Sequence, residues 1–432
     1  MLEGKGFGRY GGICTVIGGI LIHLTLGNIY SFGNMLTYIG SYMHQRVTTH
    51  VTYGNTIWVN SITTATQGLF MVFGGLVEHV VGSRITCFIG CTLLSAGIIL
   101  TYYTINISLF AVIMTYGFLA GFGISLAYTT PLACGMKWYP ESKGLVNGLI
   151  VAGFGLGALG STSFQTQYLN PHNLPPDYNT GYFTEAEILD KVPSLFVALG
   201  FVFLVMQYIG CFLINKPSED KAEEERKKVE EENKLLTLKG KSLKPTEIIY
   251  EKAFHVLWLM YFLNTIAVGY INAMYKSFGL TFIGDDHFLA RIGSIVAIFN
   301  AGGRIYWGKL MDYYSFKIAM RILCLILMFL FGTFPLTQQL NKIGFGFWLC
   351  LIYFTFSGTF ALMPTVVDKA FGAEYYSANY GLIFTSQALS GPLIALVNEM
   401  MWESLGYSGC FLIVACLISL SVLLTFFVPD GL

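Results

Sequence analysis

The chain has 432 residues, of which 54% are hydrophobic and 12% are charged, and its formal net charge is zero. Soluble domains carry about twice this share of charged residues, and the mean hydropathy is +0.60, which excludes an ordinary soluble domain. A neutral chain also gives no support for a nucleic-acid partner. The composition predicts an all-α membrane protein.

Twelve apolar segments are long enough to cross a bilayer as helices, which takes about 20 residues each. Those in the first half of the chain cover 11–36, 55–78, 85–104, 107–130, 144–165 and 193–214. Those in the second half cover 254–277, 290–308, 319–337, 345–364, 378–398 and 408–428. We predict twelve transmembrane helices, arranged in two six-helix halves.

A charged stretch lies between the two halves. Residues 216–247 contain nine basic and nine acidic side chains, a composition typical of a solvated segment. We interpret this stretch as a cytosolic linker between an N-terminal six-helix bundle, 1–215, and a C-terminal six-helix bundle, 248–432. The N-terminus runs directly into the first apolar segment, so we expect no cleavable leader.

Lys and Arg residues are unevenly distributed between the two sets of loops. The N-terminus, the linker and the loops on their side of the membrane carry most of them. Because positively charged loops tend to stay in the cytosol, we predict that both termini and the linker are cytosolic. We expect a multi-pass protein of the plasma membrane, with an organelle membrane as the alternative.

The sequence contains no recognisable enzyme or metal-site motif. The nine cysteines show no paired spacing, which indicates small core residues and not metal ligands or a disulfide framework. The glycine-rich stretch GFGLGALG (153–160) lies in an apolar segment with no strand before it, so close helix packing explains it better than a nucleotide site. We predict no cofactor, no metal and no enzymatic activity.

Two matching loops indicate an internal repeat. The first is GGLVEHVVGSR (74–84), and the second, about 235 residues later, is WGKLMDYYSFK (307–317). Each contains a glycine, then an acid, then a base: Glu78 and Arg84 in the first loop, Asp312 and Lys317 in the second. An acid in such a loop can cap a neighbouring helix and pair with a base in one conformation only, so we predict that these four residues gate a conformational change.

These loops resemble the conserved loop between helices 2 and 3 of the major facilitator superfamily, although Glu78 replaces the usual aspartate. A narrower set of stretches is similar to the oxalate:formate antiporter family and, more loosely, to the monocarboxylate transporters. They are GNIYSFGN (27–34), KWYPESKGLVNGLIVAGFGLGA (137–158), NAGGRIYWGKLMD (300–312) and FALMPTVVDKAFGAEYYSANYGL (360–382). The resemblance implies a monomeric secondary transporter with the major facilitator fold.

The resemblance also implies a substrate site at Arg304, where an arginine of the family faces the central cavity and binds a carboxylate. Considered alone, Arg304 could also be a residue that snorkels from near a helix end to the membrane surface. The family's second cation, a lysine, is replaced by Gln387. One cation balances one carboxylate, so we expect a monocarboxylate whose keto or hydroxyl group could bond to Gln387.

Further cavity residues implied by the resemblance are Tyr30, Tyr128, Phe356 and Phe360. The last two are spaced as i and i+4 on one helix face, a pattern that plain packing also produces. His23 is the other notable ionisable residue of the apolar segments. It could exchange a proton near neutral pH, or it could be a neutral histidine bonded to a neighbouring helix.

Together these features predict a secondary transporter for a small organic anion, most simply a monocarboxylate of the formate, lactate or pyruvate type. Transport would proceed by alternating access, as antiport or as proton-coupled or facilitative movement. The alternatives are another substrate on the same fold, such as oxalate, an amino acid or a drug-like molecule, or a transporter-like sensor that moves nothing.

Overall fold

The computed structural model describes residues 10–172, 174, 176–177, 182–217, 242–283, 286–429 and 432. These ranges consist of helices and their connections, and they contain no strand, as the predicted all-α fold requires. Most of the predicted linker, residues 218–241, lies outside the described residues, and so do the residues before Tyr10.

Six long helices form the first half of the bundle. They are α1 (Gly11–Arg46), α2 (Tyr53–Val81), α3 (Ser83–Thr104), α4 (Leu109–Trp138), α5 (Lys143–Leu169) and α6 (Val192–Leu213). Two of them are irregular: α1 contains a 3-10 turn at Gly27–Ser31 and α4 a π-helical segment at Ile113–Leu119. The two irregular segments meet, since Asn28 Nδ2 donates to the Tyr116 hydroxyl at 2.9 Å.

The second half begins with α7 (Lys252–Leu280), α8 (Asp286–Tyr313), α9 (Phe316–Thr333) and α10 (Lys342–Phe371). The helical run Tyr376–Leu424 follows and is broken at Gly406, whose φ of 58° lies in the left-handed region. This glycine separates α11 (376–405) from α12 (406–424). Two short helices, Ala186–Leu189 and Pro245–Ile248, precede α6 and α7.

All twelve predicted spans coincide with these helices. Nine of the helices in the described ranges are long and apolar enough to cross a membrane by composition alone. Three helices remain, α2, α8 and α11. The mean hydropathy of α2 and α8 is lower, because buried polar side chains such as Gln67, Asn300 and Arg304 interrupt their apolar sequences. Polar groups at membrane depth normally face a bundle interior and not lipid, so these helices are expected at the centre of the molecule.

The two halves meet along two pairs of helices, α5 with α8 and α2 with α11. Glycine makes both crossings possible. A Cβ added to Gly144 of α5 would lie 2.2 Å from the carbonyl oxygen of Gly308 in α8, and one added to Gly75 of α2 would lie 2.1 Å from the amide nitrogen of Ala378 in α11. Backbones that approach this closely leave no room for a side chain.

The described residues on either side of the linker lie with the α2–α3, α4–α5, α8–α9 and α10–α11 connections on one face of the bundle, which we call the linker face. This is shown by the contacts of Arg84 with Ile214, Leu243 with Phe371 and Lys317 with Leu432. The close crossings at Gly144 and Gly75 lie at this face. Toward the opposite face, a Cβ on Gly160 of α5 or on Gly391 of α11 would meet no described atom within 4 Å. The halves are therefore closed against each other at the linker face.

Candidate functional site

Arg304 lies on α8 at its crossing with α5, between the two halves. Its side chain is 1% exposed, so it is enclosed by protein and does not snorkel to a surface. The Nε atom donates to Asn300 Oδ1 at 2.9 Å, and Nη1 donates to the carbonyl oxygen of Val151 in α5 at 2.9 Å. The third nitrogen, Nη2, has no hydrogen-bond partner among the described residues.

Aromatic rings enclose the guanidinium group. Its Cζ atom lies 5.0 Å from the ring centre of Phe360 and 5.8 Å from that of Phe154, within the range of cation–π attraction. No acidic side chain in the described ranges forms an ion pair with Arg304. A buried cation without a counter-charge is costly, and a bound anion would remove that cost.

More rings lie behind these two. The Tyr128 ring contacts Phe154 at 5.5 Å and Phe384 at 5.6 Å, while the Tyr261 ring contacts Phe360 at 6.1 Å. The Tyr261 hydroxyl donates to Gln387 Oε1 at 3.4 Å. The site thus combines one cation, neutral polar groups and aromatic walls contributed by both halves.

The structure brings together most of the residues that the sequence analysis assigned to a cavity. Tyr128 and Phe360 belong to the aromatic cluster, and Tyr30 joins it through an edge contact of 5.2 Å with Phe154 while remaining 42% exposed. Gln387 contacts the cluster through the hydroxyl group of Tyr261, which donates to its Oε1 atom. Phe356 is 2% exposed and packs on Tyr353 at 4.8 Å, and no ring contact within the described ranges joins it to the rings around Arg304.

His23 of α1 is fully buried beside the same cluster. Its ring centre lies 5.0 Å from that of Tyr128 and 6.3 Å from that of Phe154. Nδ1 lies 3.0 Å from the carbonyl oxygen of Gly19, one turn earlier in the same helix and not in a neighbouring one. Nε2 has no hydrogen-bond partner in the described part of the chain.

The sequence analysis did not single out several of these residues. Phe154 lies inside the glycine-rich stretch GFGLGALG. The small residues on either side of it could have indicated a ring that faces a site. Asn300 is a polar residue four positions before Arg304, and this helical spacing could have indicated a contact. Tyr261 and Phe384 gave no such local signal, because only the folded arrangement of α7 and α11 brings them close.

The acids of the two repeated loops both connect the halves at the linker face. Asp312 accepts from the backbone amides of Gly144 and Leu145 at 2.8 and 2.7 Å, and so caps the N-terminus of α5. Glu78 accepts from Ser83 of its own half at 2.7 Å and from Ser377 at the start of α11. The positive end of a helix dipole stabilises a carboxylate at such a position.

The predicted bases have other neighbours. Arg84 donates through Nη2 to the carbonyl oxygen of Ile214 at 2.8 Å, within its own half. The backbone amide of Lys317 lies 3.4 Å from the carbonyl oxygen of Leu432. An ion pair that the sequence analysis did not identify, Lys143 with Asp368, crosses between the halves at 2.5 Å, and the aspartate is 3% exposed.

Two six-helix halves closed at one face, with a buried cation between them that has no ion-pair partner among the described residues, form the arrangement expected of a membrane transporter. The sequence model of the major facilitator superfamily matches residues 17–396, and the chain belongs to this superfamily.

Comparison with known proteins gives several full-length relatives. The chain is 26% identical to apicoplast pyruvate carrier 1 of Toxoplasma gondii, over 98% of this chain and 89% of the relative. It is 24% identical to the oxalate:formate antiporter of Oxalobacter formigenes, over 82% and 78%. Among solved structures, the fucose:proton symporter of Escherichia coli superposes with a TM-score of 0.68 at 11% identity, over 97% of this chain and 98% of that one, which shows a common fold.

Proposed function

We propose that the chain carries a small monocarboxylate, of the formate, lactate or pyruvate type, past Arg304 by alternating access of its two halves. The observation that supports this most directly is that Nη2 of the buried Arg304 guanidinium has no hydrogen-bond partner among the described residues. A carboxylate is the natural partner for such a group, since a guanidinium donates charge-assisted hydrogen bonds to it. The names of the Toxoplasma and Oxalobacter relatives, a pyruvate carrier and an oxalate:formate antiporter, agree with this substrate class.

The charge of the site favours a monocarboxylate over a dicarboxylate. Arg304 is enclosed by rings, and the position implied for a second cation carries Gln387, which is neutral. A dianion such as oxalate would leave one carboxylate without a fixed counter-charge, and desolvating it would cost several kcal/mol. Oxalate, amino acids and drug-like molecules are therefore the alternative substrates. Exchange, proton coupling and facilitated diffusion are the alternative modes of transport.

The direct test is uptake into liposomes that contain the purified chain. Labelled formate, lactate, pyruvate, oxalate and succinate are offered with and without the same unlabelled anion inside, and with and without a pH gradient. We expect monocarboxylate uptake that Arg304→Gln reduces by about 100-fold or more, because a buried charge-assisted hydrogen bond is lost. The matched control is Arg46→Gln, which makes the same change at an exposed arginine.

Two results would contradict the proposal. One is wild-type uptake in Arg304→Gln, which would separate the arginine from transport. The other is binding without flux for every anion, measured as thermal stabilisation of the protein, which would support the sensor alternative.

We also propose that both termini and the linker are cytosolic and that the chain works as a monomer, in the plasma membrane or in an organelle membrane. The excess of Lys and Arg on the linker face supports this orientation. A protease site inserted between residues 218 and 241 tests it. If the linker is cytosolic, protease added outside the cell should cleave the inserted site only after the plasma membrane has been permeabilised.

A further inference from the structure

Two buried nitrogen atoms at the candidate site have unused hydrogen-bonding capacity. In the described ranges, neither Arg304 Nη2 nor His23 Nε2 has a partner. Both side chains lie against the ring of Phe154, the guanidinium at 5.8 Å and the imidazole at 6.3 Å from its centre. The Phe154 ring therefore links the two side chains.

The other ring nitrogen of His23 determines what Nε2 can do. Nδ1 lies 3.0 Å from the carbonyl oxygen of Gly19. A carbonyl oxygen only accepts hydrogen bonds, so Nδ1 carries the hydrogen, and in the neutral ring Nε2 can only accept. A neutral His23 therefore presents Nε2 as a buried acceptor that has no donor among the described residues.

We infer that His23 Nε2 accepts a hydrogen bond from a hydroxyl group on the substrate carbon next to the carboxylate, so that the site selects 2-hydroxymonocarboxylates. The inference rests on the proposed function, because it requires the carboxylate to be bound at Arg304. A 2-hydroxy acid offers an anion to the guanidinium and an O–H donor to the imidazole.

Other acids of the same size do not offer this combination. Pyruvate has a carbonyl oxygen in place of the hydroxyl, so two acceptors would face each other. Propionate has a methylene group there and offers no donor to Nε2. Gln387 cannot make this distinction, because an amide both donates and accepts.

The test uses lactate, pyruvate and propionate, three monocarboxylates of three carbons that differ only at the second carbon. Their affinities for the purified full chain are measured by competition against labelled lactate. We expect lactate to bind about tenfold more tightly than propionate, the effect of one hydrogen bond to an otherwise unsatisfied buried acceptor. Pyruvate is expected to bind no more tightly than propionate. In His23→Phe, which keeps a ring against Tyr128 and Phe154, the ratio of the lactate and propionate affinities should fall to about one.

Each remaining outcome decides the question. Pyruvate binding as tightly as lactate to the wild type, or a lactate preference that survives in His23→Phe, would overturn the inference. If none of the three acids binds the wild type, the proposed function fails instead. Should His23→Phe not fold, His23→Gln replaces it: its amide can donate as well as accept, so the preference for lactate over pyruvate should disappear.

Discussion

In the proposed function, Gln387 is the side chain that limits the substrate to one negative charge. It is half-buried, and its Oε1 accepts from Tyr261, whose ring contacts the same Phe360 that covers Arg304. Gln387→Lys would add a second fixed cation to a site that now has one. We expect the uptake ratio of oxalate to pyruvate to rise by about tenfold or more, the value of a charge-assisted hydrogen bond.

The control for this prediction is Gln387→Met, which has a similar length and adds no charge. Its oxalate-to-pyruvate ratio should stay near that of the wild type. A ratio that does not change in Gln387→Lys would mean that this position does not contact the substrate.

At the residue scale, the resemblance predicted a common site for Arg304, Tyr128 and Phe360, and the structure places all three in one aromatic cluster. The resemblance could do this because it covers short stretches in which the chemistry is local. It could not identify the Nη1 contact with the Val151 carbonyl, which joins residues 153 positions apart. Such a contact depends on where two helices cross, and residue types do not encode that position. The spare Nε2 of His23 could not be foreseen either, because only the bond to Gly19 shows which ring nitrogen is used.

At the scale of helices, the crossing of α5 with α8 depends on glycine. A Cβ at Gly308 would lie 2.2 Å from the carbonyl oxygen of Gly144, a backbone atom that cannot turn aside. Gly308→Ala should push the two helices apart at the linker face and break the cap that Asp312 provides for α5. We expect hydrogen–deuterium exchange in the first turn of α5 to become about tenfold faster, since overpacking costs roughly 1–3 kcal/mol.

Gly302→Ala is the matched control, because it makes the same change on α8 at a position where a Cβ would meet no described atom within 4 Å. Its exchange in α5 should equal that of the wild type. Equal exchange in Gly308→Ala would show that the crossing tolerates a methyl group and does not depend on this glycine.

Apolar runs predicted all twelve helices, because a helix in lipid must satisfy its own backbone and needs about 20 apolar residues. They did not predict where helices become irregular. The 3-10 turn of α1 and the π-helical segment of α4 are joined by Asn28 and Tyr116, 88 residues apart. Irregular backbone of this kind is stable only inside a folded bundle, so the local sequence gives little sign of it.

For the whole molecule, alternating access requires a linker face that closes and reopens. Lys143 and Asp368 contribute to the closed state, since their ion pair joins the two halves and is largely buried, at 17% and 3% exposure. Reversing either charge alone would place like charges together and favour the open face. We expect Lys143→Asp and Asp368→Lys each to reduce uptake by about tenfold or more, because breaking a buried pair is strongly destabilising.

The double variant, Lys143→Asp with Asp368→Lys, again has opposite charges at the two positions, so it should recover much of the lost uptake. The size of the recovery measures the coupling between the two residues. Asp190→Lys is the control, because it disrupts the exposed pair with Arg46, at 66% and 45% exposure, where screening by water leaves little energy to lose. A double variant no more active than either single one would mean that these residues act separately. Closure would then depend on the contacts of Asp312 with the backbone amides of α5 and of Glu78 with the Ser377 hydroxyl. Neither contact is altered by reversing Lys143 and Asp368.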